Sequence, residues 1–255
     1  MTARVPAGYV EVAEGDARAV ALAPLARAIR DALSRGTLYA YAARHPARRE
    51  LRGRAPAFAV PLPDESARVV VRHAWHGGAL RRITGDRFLA PTRAPRELAI
   101  ALRLAEAGVP TPEIVAYATY PAGPLLRRSD VASREIPEAR DLAVVLRDGP
   151  HGNARGVALE ATARLLAQLA RAGARHADLN LKNVLLAAAP GGAMTAYAID
   201  VDRVTFHDGD ATGVLSANHA RLARSARKWR DVRGVAVDEA ELAALETRAR
   251  AALAA

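Results

Sequence analysis

The 255-residue chain is long enough for one or two domains with a proper core. It has no cysteine, which excludes disulfides and thiolate-bound metals, and no apolar run of the length a membrane-spanning helix needs, which is about 18 residues. The formal net charge of +10 points to an anionic partner (nucleic acid, acidic lipid or a phosphorylated substrate) or to an arginine-rich composition with no such purpose.

Aromatic residues make up only 4%, so Leu, Val, Ile and Ala must build the core. The N-terminus lacks a signal-peptide core, so a cytoplasmic location is expected. In chain order, a short strand is predicted near Tyr9–Val12 and a helix near Ala19–Leu33, stopped by Gly36. The stretch from Thr37 to Val60 reads as strand, with a turn at Arg52-Gly53-Arg54-Ala55-Pro56. Ala67–His73 is rich in valine and reads as a buried strand closed by His76-Gly77-Gly78. From Arg96 to Ala107, Leu98, Ala101, Leu102 and Ala105 recur at three-to-four spacing, and Gly108 and Pro110 end the helix they predict. Strands follow at Glu113–Tyr120 and Ser129–Ile136, and a domain boundary is expected at Pro137. Beyond it come a short helix at Asp141–Leu146, a longer one at Val157–Ala172 ended by Gly173, and strands at Val184–Leu186 and Thr195–Asp200 around the Gly191-Gly192 turn. The basic remainder reads as helix. The order is that of an α+β chain with residues 1–136 sheet-rich and residues 137–255 mainly helical.

Chemistry concentrates in His176-Ala177-Asp178-Leu179-Asn180-Leu181-Lys182-Asn183. A carboxylate placed just ahead of a strand can accept a proton from an attacking hydroxyl, and an amide five residues later can reach a magnesium ion. About seventeen residues on, Asp200 ends a second short strand. If the two strands pair, Asp178, Asn183 and Asp200 meet at one end of a hairpin. That is a hard-oxygen set suited to Mg2+ and to phosphoryl transfer. The plain alternative is a polar turn before a strand.

The stretch resembles the H-x-D-L-x-x-x-N catalytic loop of the protein-kinase-like fold, with Asp200 at the place of its second magnesium-binding aspartate. That resemblance implies a bilobal protein, a small sheet-rich N-lobe and a mainly helical C-lobe. Upstream, Arg72 stands where the fold keeps a phosphate-contacting lysine, Glu97 where its helix pairs with that cation, and Gly53 and Arg54 where a glycine-rich loop covers phosphates. A protein kinase is disfavoured: no D-F-G or A-P-E is present, and only about 55 residues follow Asp200. The chain more closely resembles the lipopolysaccharide core kinases, in particular the 3-deoxy-D-manno-octulosonic acid (Kdo) kinase family. "RGRAPAFAVPL", "VVVRHAWHGGALRRITGDRFL", "TRAPREL", "GVPTPEIVAY", "REIPEARDLAVVL", "HADLNLKNVLL" and "IDVDR" carry the likeness over residues 36 to 233. The family tends to have Gly-Arg-Gly-Thr in its loop, and this chain departs with Gly53-Arg54-Ala55-Pro56.

The resemblance implies an ATP-dependent, Mg2+-requiring transfer to the 4-OH of Kdo on lipid A. Asp178 would be the base, Asn183 and Asp200 the metal ligands, and Arg72 with Glu97 the phosphate-orienting pair. Gly53 and Arg54 would lie over the nucleotide, and His176 would brace the loop. Asp202-Arg203 matches the family or forms a structural ion pair. Arg221, Arg224 and Lys228, at helical spacing with Arg227 nearby, would meet an anionic membrane on the cytoplasmic face of the inner membrane, or else form a solvated face. Nucleic acid is not an expected partner and no obligate protein partner is evident. The competing readings are a phosphotransferase for heptose, aminoglycoside-like or other small acceptors and a pseudokinase-like binding module.

Overall fold

A computed structural model describes residues 5–51, 56–75, 85–149 and 153–255. It divides into two compact units, Met1–Ala99 with Glu113–Glu135, and Ile100–Pro112 with Ile136–Ala255. The first is built on an antiparallel sheet and the second is mainly helical, in line with the α+β expectation.

The first unit opens with a hairpin, β1 (Tyr9–Glu14) and β2 (Ala17–Leu22), joined by a two-residue turn in which Gly15 supplies a positive φ of 52°. The helix expected over Ala19–Leu33 is therefore shorter: a 3-10 turn spans Ala23–Leu25, and α1 occupies only Ala26–Ser34. Alanine at alternate positions misled the helical reading. Ala17, Ala19 and Ala21 point inward while Arg18 is exposed, a period of two that β1 completes by pairing. The strand expected from Thr37 is instead a helix, α2 (Leu38–Arg44), with Leu38, Tyr41 and Ala42 buried at helical spacing and Thr37 capping Ala40 N.

Then come β3 (Arg49–Leu51), β4 (Ala57–Pro61), β5 (Arg68–His73), β6 (Phe88–Leu89), α3 (Ala94–Glu106), β7 (Ile114–Pro121) and β8 (Leu126–Arg134). The sheet runs β1-β2-β7-β8-β5-β4-β3, with β6 on β8. Val12, Val60, Val69 and Val71 from the sheet pack with Ile29 and Leu38 of the two helices. Each such side chain contributes about 1.5–3 kcal/mol by leaving water. Strand alternation sends Arg72 to the face opposite Val69 and Val71.

A charged network ties α2 to the sheet. Asp130, fully buried on β8, accepts from Tyr39 N at 2.9 Å in the first turn of α2, where the helix dipole favours a negative charge. Its other oxygen meets His73 Nδ1 at 2.6 Å, and His73 Nε2 lies 3.1 Å from Asp86, which pairs with Arg128 Nε at 2.7 Å. Burial disfavours charge on His73, but its contacts with Asp130 and Asp86 outweigh burial and raise it above the ordinary imidazole value.

The division between units falls within α3. Residues after Ala99 join the second unit because they pack on it: Ala198 N donates to Pro110 O, Thr111 Oγ1 to Ala198 O, and Arg103 lies 3.7 Å over the Phe206 ring. The remaining elements are β9 (Arg140–Asp141), α4 (Leu142–Asp148), α5 (Asn153–Arg171), β10 (Ala174–His176), β11 (Val184–Ala188), β12 (Met194–Ala198), β13 (Val204–Phe206), α6 (Ala211–Arg233) and α7 (Glu239–Ala254). β9, β11 and β12 form one small sheet and β10 with β13 another. Helix α5 buries Leu165, Leu166 and Leu169 and packs on α7, α6 and β12. Gly173 ends it at a φ of +63°, where a Cβ would meet His207 O at 2.2 Å, so only glycine fits. The basic tail is helical as expected. Asp210 caps α6 through Gly213 N, Gly234 ends it in the left-handed region, and Asp238 caps α7 through Glu241 N.

Arg155 of α5 is only 7% exposed, pairs with both carboxylate oxygens of Glu241 on α7, and donates to Leu146 O and Ala236 O. Removing one partner leaves the other charge in a half-dry setting. Arg155→Met is therefore expected to cost about 3 kcal/mol of unfolding free energy, and adding Glu241→Leu to recover most of it. Denaturant titration measures both; a single-variant loss under about 1 kcal/mol would mean the pair does not anchor α7.

Candidate active site

In the second unit the expected loop forms where two small sheets meet. β10 ends at His176, paired across from Val204 of β13. The chain then turns through Asp178 and a 3-10 turn at Leu181–Asn183 into β11. β11 pairs antiparallel with β12, Val184 opposite Ala198, and Ile199 N donates to Asn183 O at 3.0 Å, extending the hairpin by one pair. Asn183 therefore faces Ile199, and Asp200 is the next residue. Asp200 adopts left-handed geometry (φ 56°, ψ 47°), which an aspartate tolerates better than most side chains, and so turns the chain out of the strand line into the Val201–Arg203 turn.

His176 holds this end together. It is 1% exposed; its Nε2 sits 3.0 Å from Ile199 O, and its Nδ1 accepts from Asp178 N at 3.3 Å. The two partners define the tautomer: Nε2 carries the hydrogen and Nδ1 is bare. Burial pushes the imidazole below its ordinary value, against the Ile199 carbonyl and the carboxylates of Asp200, Asp178 and Asp202, which favour charge. The ring bonds the Asp178 amide on one side and the carbonyl of Ile199, the residue before Asp200, on the other, so the backbones at Asp178 and Ile199 are tied to one group.

The Asp178 carbonyl accepts from both Asn180 Nδ2 and Asn183 Nδ2 at 2.9 Å. With its amide nitrogen so used, buried Asn183 has its oxygen left to accept or to ligate. Asn183 Oδ1 and the Asp200 carboxylate are hard oxygen donors of the kind Mg2+ takes alongside its waters and substrate phosphates, so the donor chemistry fits that ion. Among the described residues no three or more His, Cys, Asp or Glu side chains cluster to hold a metal.

In the first unit, Arg72 of β5 forms an ion pair with Glu97 of α3, the pairing expected from their positions. Glu97 is buried and Arg72 keeps about a third of its side chain exposed. Gly53 and Arg54, expected over the nucleotide, lie outside the described residues, as do His76, Gly77 and Gly78.

Helix α6 carries partners that the sequence reading did not identify. Asn218, fully buried, accepts from His176 N and donates to Ala174 O, each at 2.9 Å. Ser225 Oγ accepts from Leu181 N at 3.2 Å, and Lys182 Nζ lies 5.8 Å from the Trp229 ring centroid. Of the cations expected on one stripe, Arg221 reaches the loop: its Nη2 lies 3.6 Å from Asp178 Oδ1. Arg227 does not supply a spare cation, since it pairs with Glu239 at 2.7 Å. The available signal was the spacing of positions 218, 221, 225 and 229, one helical face, which the dominance of arginine in the tail obscured.

The sequence profile of the lipopolysaccharide kinase (Kdo/WaaP) family matches residues 42–245. The 3-deoxy-D-manno-octulosonic acid kinase of Stenotrophomonas maltophilia strain K279a is 33% identical over 187 residues, 72% of this chain and 70% of that one. The kinase of the same name from Vibrio vulnificus strain CMCP6 is 29% identical over 202 residues, 76% and 79% of the two chains. The match to the Vibrio parahaemolyticus kinase of that name spans about half its length, 30% identical over 128 residues, with 48% of this chain and 51% of that one covered. A solved structure titled "WaaP in complex with acyl carrier protein" superposes with a TM-score of 0.46 and 20% identity over 80% of this chain and 88% of that one.

The lowered pKa of His176 has a sign that can be measured. The folded state keeps the ring neutral, so the unfolded state binds the extra proton as pH falls through the free imidazole value of about 6.5. Its contribution is present above that pH and is lost below it, by at most about 1.4 kcal/mol per pH unit. His73, raised by its carboxylates, acts oppositely: its contribution is full below about 6.5 and is lost as pH rises through its raised value. The His176 effect is therefore read as a difference: unfolding free energies from pH 8 to pH 5 are expected to fall less steeply with acid in His176→Gln than in the unmodified protein. Parallel profiles would refute it.

Proposed function

Because the chain belongs to the lipopolysaccharide kinase (Kdo/WaaP) family, we propose that it transfers the γ-phosphoryl group of ATP to the 4-OH of Kdo on lipid A in lipopolysaccharide core biosynthesis. The observation that carries this reading is the set of hydrogen bonds that ties Asp178, Asn183 and Ile199, the residue before Asp200, to one another and to His176. In it Asp178 accepts the proton of the attacking hydroxyl, and its backbone, held by Asn180 and Asn183, keeps the carboxylate in one place. Asn183 and Asp200 hold Mg2+, which would supply countercharge to the nucleotide phosphates. Arg72, fixed by Glu97, orients phosphate oxygens with a forked guanidinium where kinases of related design use lysine. Gly53 and Arg54 cover the nucleotide. The first unit, Met1–Ala99 with Glu113–Glu135, is then the nucleotide-orienting part and the second, Ile100–Pro112 with Ile136–Ala255, the catalytic part.

The acceptor reading comes from the relatives' names, and its chemistry agrees with the +10 charge of the chain. Among the described residues no helix is long and apolar enough to cross a membrane. The protein docks instead on the anionic cytoplasmic face of the inner membrane, using the exposed Arg224 and Lys228 of α6 at roughly 1 kcal/mol per well-placed charge.

Two measurements test this reading. Mass spectrometry of Kdo-lipid A after incubation with ATP and Mg2+ is expected to show one added phosphate, and Asp178→Asn to slow its appearance by about 100-fold or more. Equal product from both proteins favours a non-catalytic binding module; phosphorylation of heptose or aminoglycosides in place of Kdo-lipid A favours a small-molecule phosphotransferase. For docking, Arg224→Glu with Lys228→Glu is expected to weaken binding to anionic vesicles at low salt by about tenfold or more. Unchanged vesicle binding removes the role of these two residues.

A further inference from the structure

One face of α6 lies along the whole catalytic loop, and three of its four contacts there have an evident structural purpose. Asn218 takes up the backbone on either side of Arg175, Ser225 takes the Leu181 amide, and Trp229 lies under Lys182. Arg221 differs in kind. Its guanidinium stands 3.6 Å from Asp178 Oδ1, beyond hydrogen-bond length, and its side chain is 41% exposed. The structural pair Arg155–Glu241 in the same unit closes to 2.6 Å with the arginine side chain 7% exposed. Arg221 thus brings a forked set of donors to the proton acceptor without spending them on it.

The loop supplies no other cation there. Asn180, two residues after Asp178, uses its amide on Asp178 O and Lys182 N, and Lys182 turns to Trp229. A hydroxyl that gives its proton to Asp178 must lie within about 3 Å of that carboxylate. Whatever Arg221 binds is therefore close to the reacting hydroxyl. A guanidinium fork matches a carboxylate through two parallel hydrogen bonds. The acceptor proposed above is a sugar acid and carries one.

The geometry points to Arg221 as the residue that binds the carboxylate of the acceptor sugar and so selects an acidic sugar and turns its hydroxyl toward Asp178. This assignment rests on the Kdo reading, and it makes Arg221 an acceptor-binding residue rather than a membrane contact.

The test compares two soluble acceptors with the full-length protein, a Kdo glycoside with its free carboxylate and the same glycoside as its carboxamide. The unmodified protein is expected to prefer the acid. In Arg221→Gln the ratio of kcat/KM for acid over amide is expected to fall by about 30-fold, mostly through KM, with Arg221→Lys in between. Because both acceptors are assayed on one preparation, the ratio does not depend on how much of a variant is folded. An unchanged ratio, including an equal loss on both acceptors as a contact to the transferred phosphoryl group would give, overturns the assignment while leaving the Kdo reading intact. No turnover of the acid by the unmodified protein overturns the Kdo reading and this assignment together.

Discussion

A single buried imidazole organises the catalytic end of the second unit. His176 donates to the carbonyl that precedes Asp200 and accepts from the amide of Asp178. The bond from the Asp178 amide needs the bare nitrogen of the neutral ring, and burial supplies the reason it stays neutral. The backbones beside the proposed proton acceptor and one proposed metal ligand, at the two feet of a short hairpin, are thus referred to one rigid group. Leu179 and Leu181 pack the loop from within, whereas the Asp178 side chain stays partly exposed. Without such a cross-link its carboxylate would wander on the scale over which positioning matters.

Helix α6 extends the same constraint. Its buried Asn218 satisfies backbone groups at β10, and Ser225 satisfies one at the 3-10 turn, so the loop is pinned at both ends by one rigid element. Arg221 sits between these pins. Its partial exposure follows from geometry: a side chain at that position of the stripe looks over the loop at Asp178, not into the core.

The two units solve the problem of buried charge in a similar way. In the first, Asp130 is fully buried and is matched by a helix amide and by His73, itself shared with Asp86. In the second, Arg155 is matched by Glu241 and two carbonyls. Each ties a helix to elements far away in sequence, which apolar packing by small alanine side chains would do less specifically. The Arg72–Glu97 pair has the same construction with one difference: the arginine keeps about a third of its side chain exposed.

The candidate site was legible in the sequence because it is local: HxDLxxxN compresses acid, amide and histidine into eight residues, and the hairpin that leads to Asp200 is short. Arg72 and Glu97 could be paired only through the resemblance to the kinase-like fold, while the long helices α3 and α5 were legible from their apolar period. The β1–β2 hairpin and α2 were misread, because alanine marks neither period clearly and because α2 is held by Asp130, 91 residues away from Tyr39. The direction Arg221 faces also had to come from the fold, since in an arginine-rich helix spacing says which residues share a face but not what that face meets. Sequence alone singled out a candidate set, since an acid, an amide and a histidine at this spacing are chemically particular; tertiary structure decided which of many equivalent arginines stands beside Asp178, because only packing distinguishes one guanidinium from another.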